Sequence, residues 1–139
     1  MKSVLLDSDV LLDFFLDREP FAETTAQVLS LCEKGEITGW TTSVIISNTY
    51  YLLKRTASHR KVIDKLRQLI SITDVLNTDK QSVIEALNSP FKDFEDALQN
   101  FSAVNSKNVE VILTRNLIDY KHSQLVVMTP KEFLSTYFG

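Results

Sequence analysis

The chain has one cysteine, three glycines and three prolines in 139 residues. A lone Cys32 excludes an internal disulfide framework and any cysteine-rich zinc site. So few glycines and prolines argue against an all-β protein full of tight turns and leave no glycine-rich phosphate loop. No apolar run nears the roughly 20 residues that a bilayer span needs. The opening Met1-Lys2-Ser3-Val4-Leu5-Leu6-Asp7 meets an acid too early for a signal peptide. A cytoplasmic protein with no membrane partner is therefore expected. A surplus of positive charge is also missing: 18 acids against 15 Lys and Arg give a net −3, which is not the global signature of a nucleic-acid binder. The two histidines, His59 and His122, stand far apart in sequence and read as surface residues rather than ligands.

What is present is the mixture of a soluble globular chain, 44% hydrophobic and 24% charged, long enough to bury a core as one domain over residues 1–139. Its charges are unevenly spread. Residues 7–36 hold mostly acids, and residues 54–67 carry Lys54, Arg55, Arg60, Lys61, Lys65 and Arg67 against Asp64 alone. The simplest reading of each charge is a solvated helix face.

Short apolar runs alternate with longer helical periods. Val4-Leu5-Leu6 reads as a buried strand, and Val10, Leu11, Phe14 and Phe15 recur at helical spacing. Pro20 breaks that helix, and a second runs over residues 21–34 with Gly35 as its stop. Ile37–Thr41 is a strand candidate, and Thr42 or Ser43 caps the next helix. Further helices are expected from about Ser58, from Thr78-Asp79 and from Asp93. Strands are expected at Ser71–Val75, Val109–Leu113 and Leu125–Val127, and a terminal helix has Pro130 in its first turn. Strands alternating with helices imply βαβ units and a mostly parallel sheet. Ligands then bind beyond the carboxyl ends of the strands.

Three acid-bearing clusters fall at such places. Asp7 ends the first strand, with Asp9 two residues on; a carboxylate there suits Mg²⁺ or Mn²⁺, and equally a helix N-cap. Asp93 and Asp96 share a helix face, which fits either a cation site or a capping arrangement with Asp93 as N-cap. Thr114-Arg115-Asn116 and Asp119 follow the late strand; they offer oxygen ligands and a phosphate contact at Arg115, or a hydrogen-bonded polar turn. Their common order along the chain is what favours one assembled site.

Together these segments resemble a PIN domain. The matching pieces are Val4–Asp13, Thr42–Asn48, Asp93–Gln99, Val111–Tyr120 and Val126–Leu134, in the right order across nearly the whole chain. The resemblance implies a three-layer α/β/α sandwich with a central, mostly parallel five-stranded sheet. It also implies metal-dependent cleavage of RNA, often by the toxin of a toxin–antitoxin pair, with an antitoxin partner and a homodimer. Asp7 matches the family's first acid and Asp96 its third, so Asp7, Asp96 and the adjacent Asp93 are the implied ligands of Mg²⁺ or Mn²⁺. Thr114 matches a hydroxyl position. Two departures stand out: Asn48 falls where the second acid is usual, and Asn116 where the fourth is, with Asp119 one helical turn beyond. Asp9 stands where many relatives carry Asn, and its carboxylate restores part of the missing charge. The expected catalytic set is Asp7, Asp96, Asp119, Asn48, Asn116 and Thr114, with Arg55, Arg60, Lys61 and Arg115 guiding RNA.

Two other readings compete. Asp7-Ser8-Asp9 after a strand also suits a phosphatase of the haloacid-dehalogenase kind, but no paired acid follows a strand late in the chain. Asn48 and Asn116 alternatively suit a catalytically weakened module that binds RNA or protein.

Overall fold

A computed structural model describes residues 2–139, so Met1, the first residue of the expected domain, lies outside the described residues. Five parallel strands form one sheet in the order β3-β2-β1-β4-β5. The strands are β1 (Lys2–Leu6), β2 (Ile37–Thr42), β3 (Asp74–Leu76), β4 (Val111–Leu113) and β5 (Val126–Met128). Among the described residues seven α-helices cover it, α1 (Ser8–Phe15), α2 (Phe21–Glu33), α3 (Ser43–Leu53), α4 (His59–Ile72), α5 (Lys80–Leu87), α6 (Phe94–Ser106) and α7 (Pro130–Phe138), and a short 3-10 helix, Leu117–Tyr120, follows β4. The result is the expected three-layer α/β/α sandwich.

The apolar run Val4-Leu5-Leu6 is fully buried because β1 lies at the centre of the sheet, covered on both faces. Val111, Ile112 and Leu113 of β4 are buried beside it. Gly39 of β2 is fixed by packing: a Cβ there would lie 2.6 Å from the Cys32 sulfur on α2. Gly35 ends the α2 segment at φ +75°, the left-handed backbone that glycine adopts without strain.

The helices begin where capping side chains stand. Asp7, Thr42, Ser58, Asp79, Asp93 and Thr129 each accept a backbone N–H of the following turn. Thr129 and Glu132 complete a capping box ahead of α7, with Pro130 at its start. Exposed Asp79, held by the Ser82 N–H, has its carboxyl below the ordinary range for that reason.

One expected strand is displaced. Ser71 and Ile72 are helical, α4 continues to Ile72, and the strand is Asp74–Leu76. The Ser71 hydroxyl donates to the Gln68 carbonyl and the Thr73 hydroxyl to the Leu69 carbonyl, so residues with strand propensity close the helix instead. The late strands shift slightly, β4 starting at Val111 and β5 at Val126.

Candidate active site

The site follows from the sheet register. Leu6 of β1 pairs with Leu113 of β4, so the next residues, Asp7 and Thr114, emerge side by side at the carboxyl edge. The ladder continues past both strands: Asp7 N–H donates to the Leu113 carbonyl at 3.1 Å, and Thr114 N–H to the Met128 carbonyl at 3.0 Å. The Thr114 hydroxyl then donates to Asp7 Oδ2 at 2.9 Å, while Asp7 Oδ1 accepts the Ser8 N–H at 2.8 Å. Both readings of Asp7 are thus combined in one side chain, an N-cap whose carboxylate sits in the acid cluster.

Asp9 is held from the same loop. Its Oδ2 accepts from the Arg115 N–H at 3.0 Å, Asn116 Nδ2 at 3.2 Å and the Thr114 hydroxyl at 3.3 Å. Its Oδ1 is buried with no hydrogen-bond partner. Asp93 caps α6 by accepting the Asp96 N–H at 3.0 Å, as the capping reading expected. Asp96 itself meets Tyr120, whose buried hydroxyl lies 2.9 Å from Gln99 Oε1 and 3.4 Å from Asp96 Oδ1.

Asp7, Asp9, Asp93, Asp96, Gln99 and Asn116 line a single cleft of about 500 Å³ beyond the carboxyl ends of the strands, with Thr114, Arg115 and Tyr120 outside its lining. Asp7, Asp9, Asp93, Glu95, Asp96 and Asp119 supply its carboxylates, and among the described residues Arg18 is the lone cation on its lining. Burial and crowding raise the proton affinity of Asp7, Asp9 and Asp96. Burial pushes the Asp7 carboxyl up to about 8, with Asp9 and Asp96 adding repulsion. Burial, then Asp93 and Asp119, push Asp96 up to about 7. Burial raises Asp9 as well. The Tyr120 phenol is also raised, by burial and then by Asp7 and Asp96. Such a site favours anything that neutralises it.

A divalent cation fits this chemistry. The donor set is all hard oxygen, it carries excess negative charge, and one buried carboxylate oxygen of Asp9 is unsatisfied. Among the described residues, no three His, Cys, Asp or Glu side chains are already gathered as a ligand set.

The departures at 48 and 116 acquire a structural meaning. Asn48 Nδ2 donates to Glu95 Oε2 at 2.6 Å, and Asn116 Nδ2 donates to Asp9 Oδ2 at 3.2 Å. Each amide holds a neighbouring carboxylate, so the negative charge sits next door to each asparagine. Glu95 was missed in sequence; its place in the first turn of α6, between Asp93 and Asp96, was the available signal.

The expected cations sit elsewhere. Arg115 is bound to buried Asp13, Nε to Oδ2 at 2.6 Å and an Nη to Oδ1 at 3.0 Å, and its guanidinium lies 4.1 Å from the Phe21 ring centre. Arg55, Arg60 and Lys61 are exposed on the turn after α3 and the first turn of α4, and none lines the acid cleft. Lys65 lines a different groove, beside Phe14, Phe15 and Leu69. Arg18 was not singled out from the sequence.

A family model described as PIN domain matches residues 3–117. The chain belongs to the PIN domain family. As a PIN domain it also shares its fold with solved structures of low sequence identity. A chain of the VapBC structure from Salmonella typhimurium, solved bound to DNA, superposes with a TM-score of 0.69 at 17% identity, covering 94% of this chain and 99% of that one. VapBC2 from Rickettsia felis, solved with a fragment of promoter DNA, gives 0.69 at 12% identity over 91% and 98%. VapC20 from Mycobacterium tuberculosis, described as a toxin that cleaves the sarcin-ricin loop, gives 0.62 at 15% identity over 78% and 86%. No curated protein matches this PIN domain in sequence. Among the described residues no helix is long and apolar enough to cross a membrane.

Proposed function

We propose that this PIN domain is a metal-dependent endoribonuclease and the toxin of a toxin–antitoxin pair. One observation carries the reading: six carboxylates from the caps and first turns of α1 and α6 and the segment after β4 line one cleft at the carboxyl edge of the sheet, with Asp7 and Asp96 strained toward neutrality. Family membership and the fold shared with VapBC2 and with VapC20, described as a sarcin-ricin loop cleaving toxin, support the same class.

Asp7 and Asp96 would hold Mg²⁺ or Mn²⁺, with Asp93 and Asp9 adding charge. The ion's contribution when bound is to acidify a water near neutral pH and to offset charge on the phosphate. The chain's own residues supply the rest. Thr114 fixes Asp7 Oδ2, and Asn116 and the Arg115 amide fix Asp9, so the carboxylates keep their orientation when phosphate arrives. Asp96 and Asp119, facing the cleft, would orient the attacking water and take its proton. In-line attack would leave a 5′-phosphate and a 3′-hydroxyl. An antitoxin partner, a homodimer and a cytoplasmic setting belong to the same reading.

The weakened binding module is the second reading. Against it stands the placement of Glu95 and Asp9 beside the two asparagines, which keeps the cleft strongly acidic. Calorimetric titration with Mn²⁺ and RNA cleavage by wild type, Asp7→Asn and Asp96→Asn test the two. Millimolar Mn²⁺ without measurable heat, or cleavage indifferent to both substitutions, would sink the nuclease reading.

A further inference from the structure

The acid cleft needs a grip on a polyanion, and the basic stretch after α3 does not reach its lining. Arg18 does. Its backbone is placed by the turn that ends α1. Asp17 adopts φ +53°, a left-handed conformation uncommon for a non-glycine residue. Arg18 N–H donates to the Asp13 carbonyl at 2.8 Å, and its own carbonyl accepts the Ala22 N–H at 2.8 Å.

The side chain is steered by an ion pair with Asp13 that leaves its donors free. An Arg18 Nη lies 3.6 Å from Asp13 Oδ1, too long for a hydrogen bond, and the same oxygen already accepts from Arg115 at 3.0 Å. One buried carboxylate therefore faces two guanidinium groups, and Arg115 satisfies it. Arg18 keeps a full charge, five donors and a side chain 47% exposed at the mouth of an anionic cleft. An arginine fork of this kind is suited to phosphate oxygens. Tyr51 adds a second feature. It lines the same cleft and is 68% exposed. Its ring is propped edge-to-face on Tyr50 at 5.1 Å, and the Tyr50 hydroxyl is bound to His59 Nδ1 at 2.8 Å. An exposed ring supported from behind offers its open side to a stacked base.

We propose that Arg18 binds a backbone phosphate of single-stranded RNA and that Tyr51 stacks on a base of the same strand, together seating the scissile bond over the carboxylates. This rests on the ribonuclease reading. The two contacts differ physically, so salt separates them. A phosphate contact on a single strand adds about 0.7 to the slope of log K against log salt, whereas stacking adds affinity with little salt dependence.

The test is fluorescence anisotropy of a labelled random-sequence single-stranded RNA in Mn²⁺ across a salt series, with cleavage followed on a gel in the same samples. Arg18→Ala is expected to weaken binding and lower the slope by about 0.7. Arg18→Lys, which keeps the charge, should retain the slope while losing part of the affinity. Tyr51→Ala should lose about fivefold or more in affinity at an unchanged slope, and Tyr51→Phe should bind as wild type. Thermal melts confirm that each variant is folded. An unchanged slope in Arg18→Ala, with wild type binding and cleaving, overturns the Arg18 assignment and leaves the nuclease reading standing. Unchanged affinity in Tyr51→Ala does the same for the stacking contact. Wild type that neither binds nor cleaves removes both the reading and this inference.

Discussion

Two charge clusters built from neighbouring residues of α1 and the loop after β4 have opposite characters. Around Asp13, one carboxylate, 1% exposed, is answered by a bidentate Arg115 and a nearby Arg18. Around Asp7, carboxylates face one another, and the donors that hold them are hydroxyl, amide and backbone groups without positive charge. The first cluster is satisfied as it stands and serves the fold, tying the loop to α1. The second is left unbalanced, with burial and neighbouring carboxylates raising both Asp7 and Asp96. Burial alone does not separate structural from functional acids here, since Asp7 and Asp13 are both buried. The identity of the partner does.

The comparison can be broken first at Asp13. Asp13→Ala leaves Arg115 partly buried without its counter-ion, and a loss of roughly 3–5 kcal/mol is expected in denaturant unfolding. If Asp13→Ala proves neutral, the cluster is not holding the loop. The opposite sign is expected at Asp96. Asp96→Asn should raise the melting temperature of the metal-free protein, because it removes a repelling charge, while lowering RNA cleavage by about 100-fold or more. A destabilised Asp96→Asn would show that this acid serves the fold as Asp13 does.

Metal sharpens the same contrast. Mn²⁺ at about 100 times its dissociation constant should stabilise wild type by about 2.7 kcal/mol, read as a shift in melting temperature. The shift should largely disappear in Asp7→Asn. The pH dependence has a definite sign. Asp7 and Asp96 titrate in the folded state near 8 and 7, above the carboxylate value of the unfolded chain, so the folded state holds more protons in between. Metal-free stability should therefore be greatest in mild acid and fall as pH rises from about 4 to about 8. Melts that improve steadily over that window would contradict the strained cleft. The smallest effect is expected at Tyr120. Tyr120→Phe removes the hydroxyl near Gln99 and Asp96 and should cost about 1 kcal/mol, with the fold intact.

Much of the architecture was legible because its signals are local. Val4-Leu5-Leu6 and Val111-Ile112-Leu113 announced buried parallel strands, and Asp79, Asp93 and Pro130 announced helix starts. Ser71–Val75 misled because hydroxyl-bearing and β-branched residues can close a helix as readily as they form a strand, and the choice rests on back-bonding to carbonyls one turn earlier. In the site, Asp7, Asn116 and Asp119 were readable from their positions after strands, and Asp93 and Asp96 from their shared face at the start of a helix. Glu95 and Arg18 were not, since each looks like an ordinary helix-end charge. Arg115 shows the converse: its neighbours suggested a phosphate contact, yet its partner is an aspartate 102 positions earlier.

By itself the sequence determined where the chain turns from strand to helix and which acids stand at those junctions, because capping, proline and apolar periodicity act over a few residues. Only the tertiary structure decided which charges meet. The pairing of Leu6 with Leu113 sets Asp7 against Thr114, and the packing of α1 near the loop after β4 gives Asp13 to Arg115 while Asp9 goes to Asn116. Electrostatic energy depends on distance in space and on access to water, and neither is written in the spacing of residues along a chain.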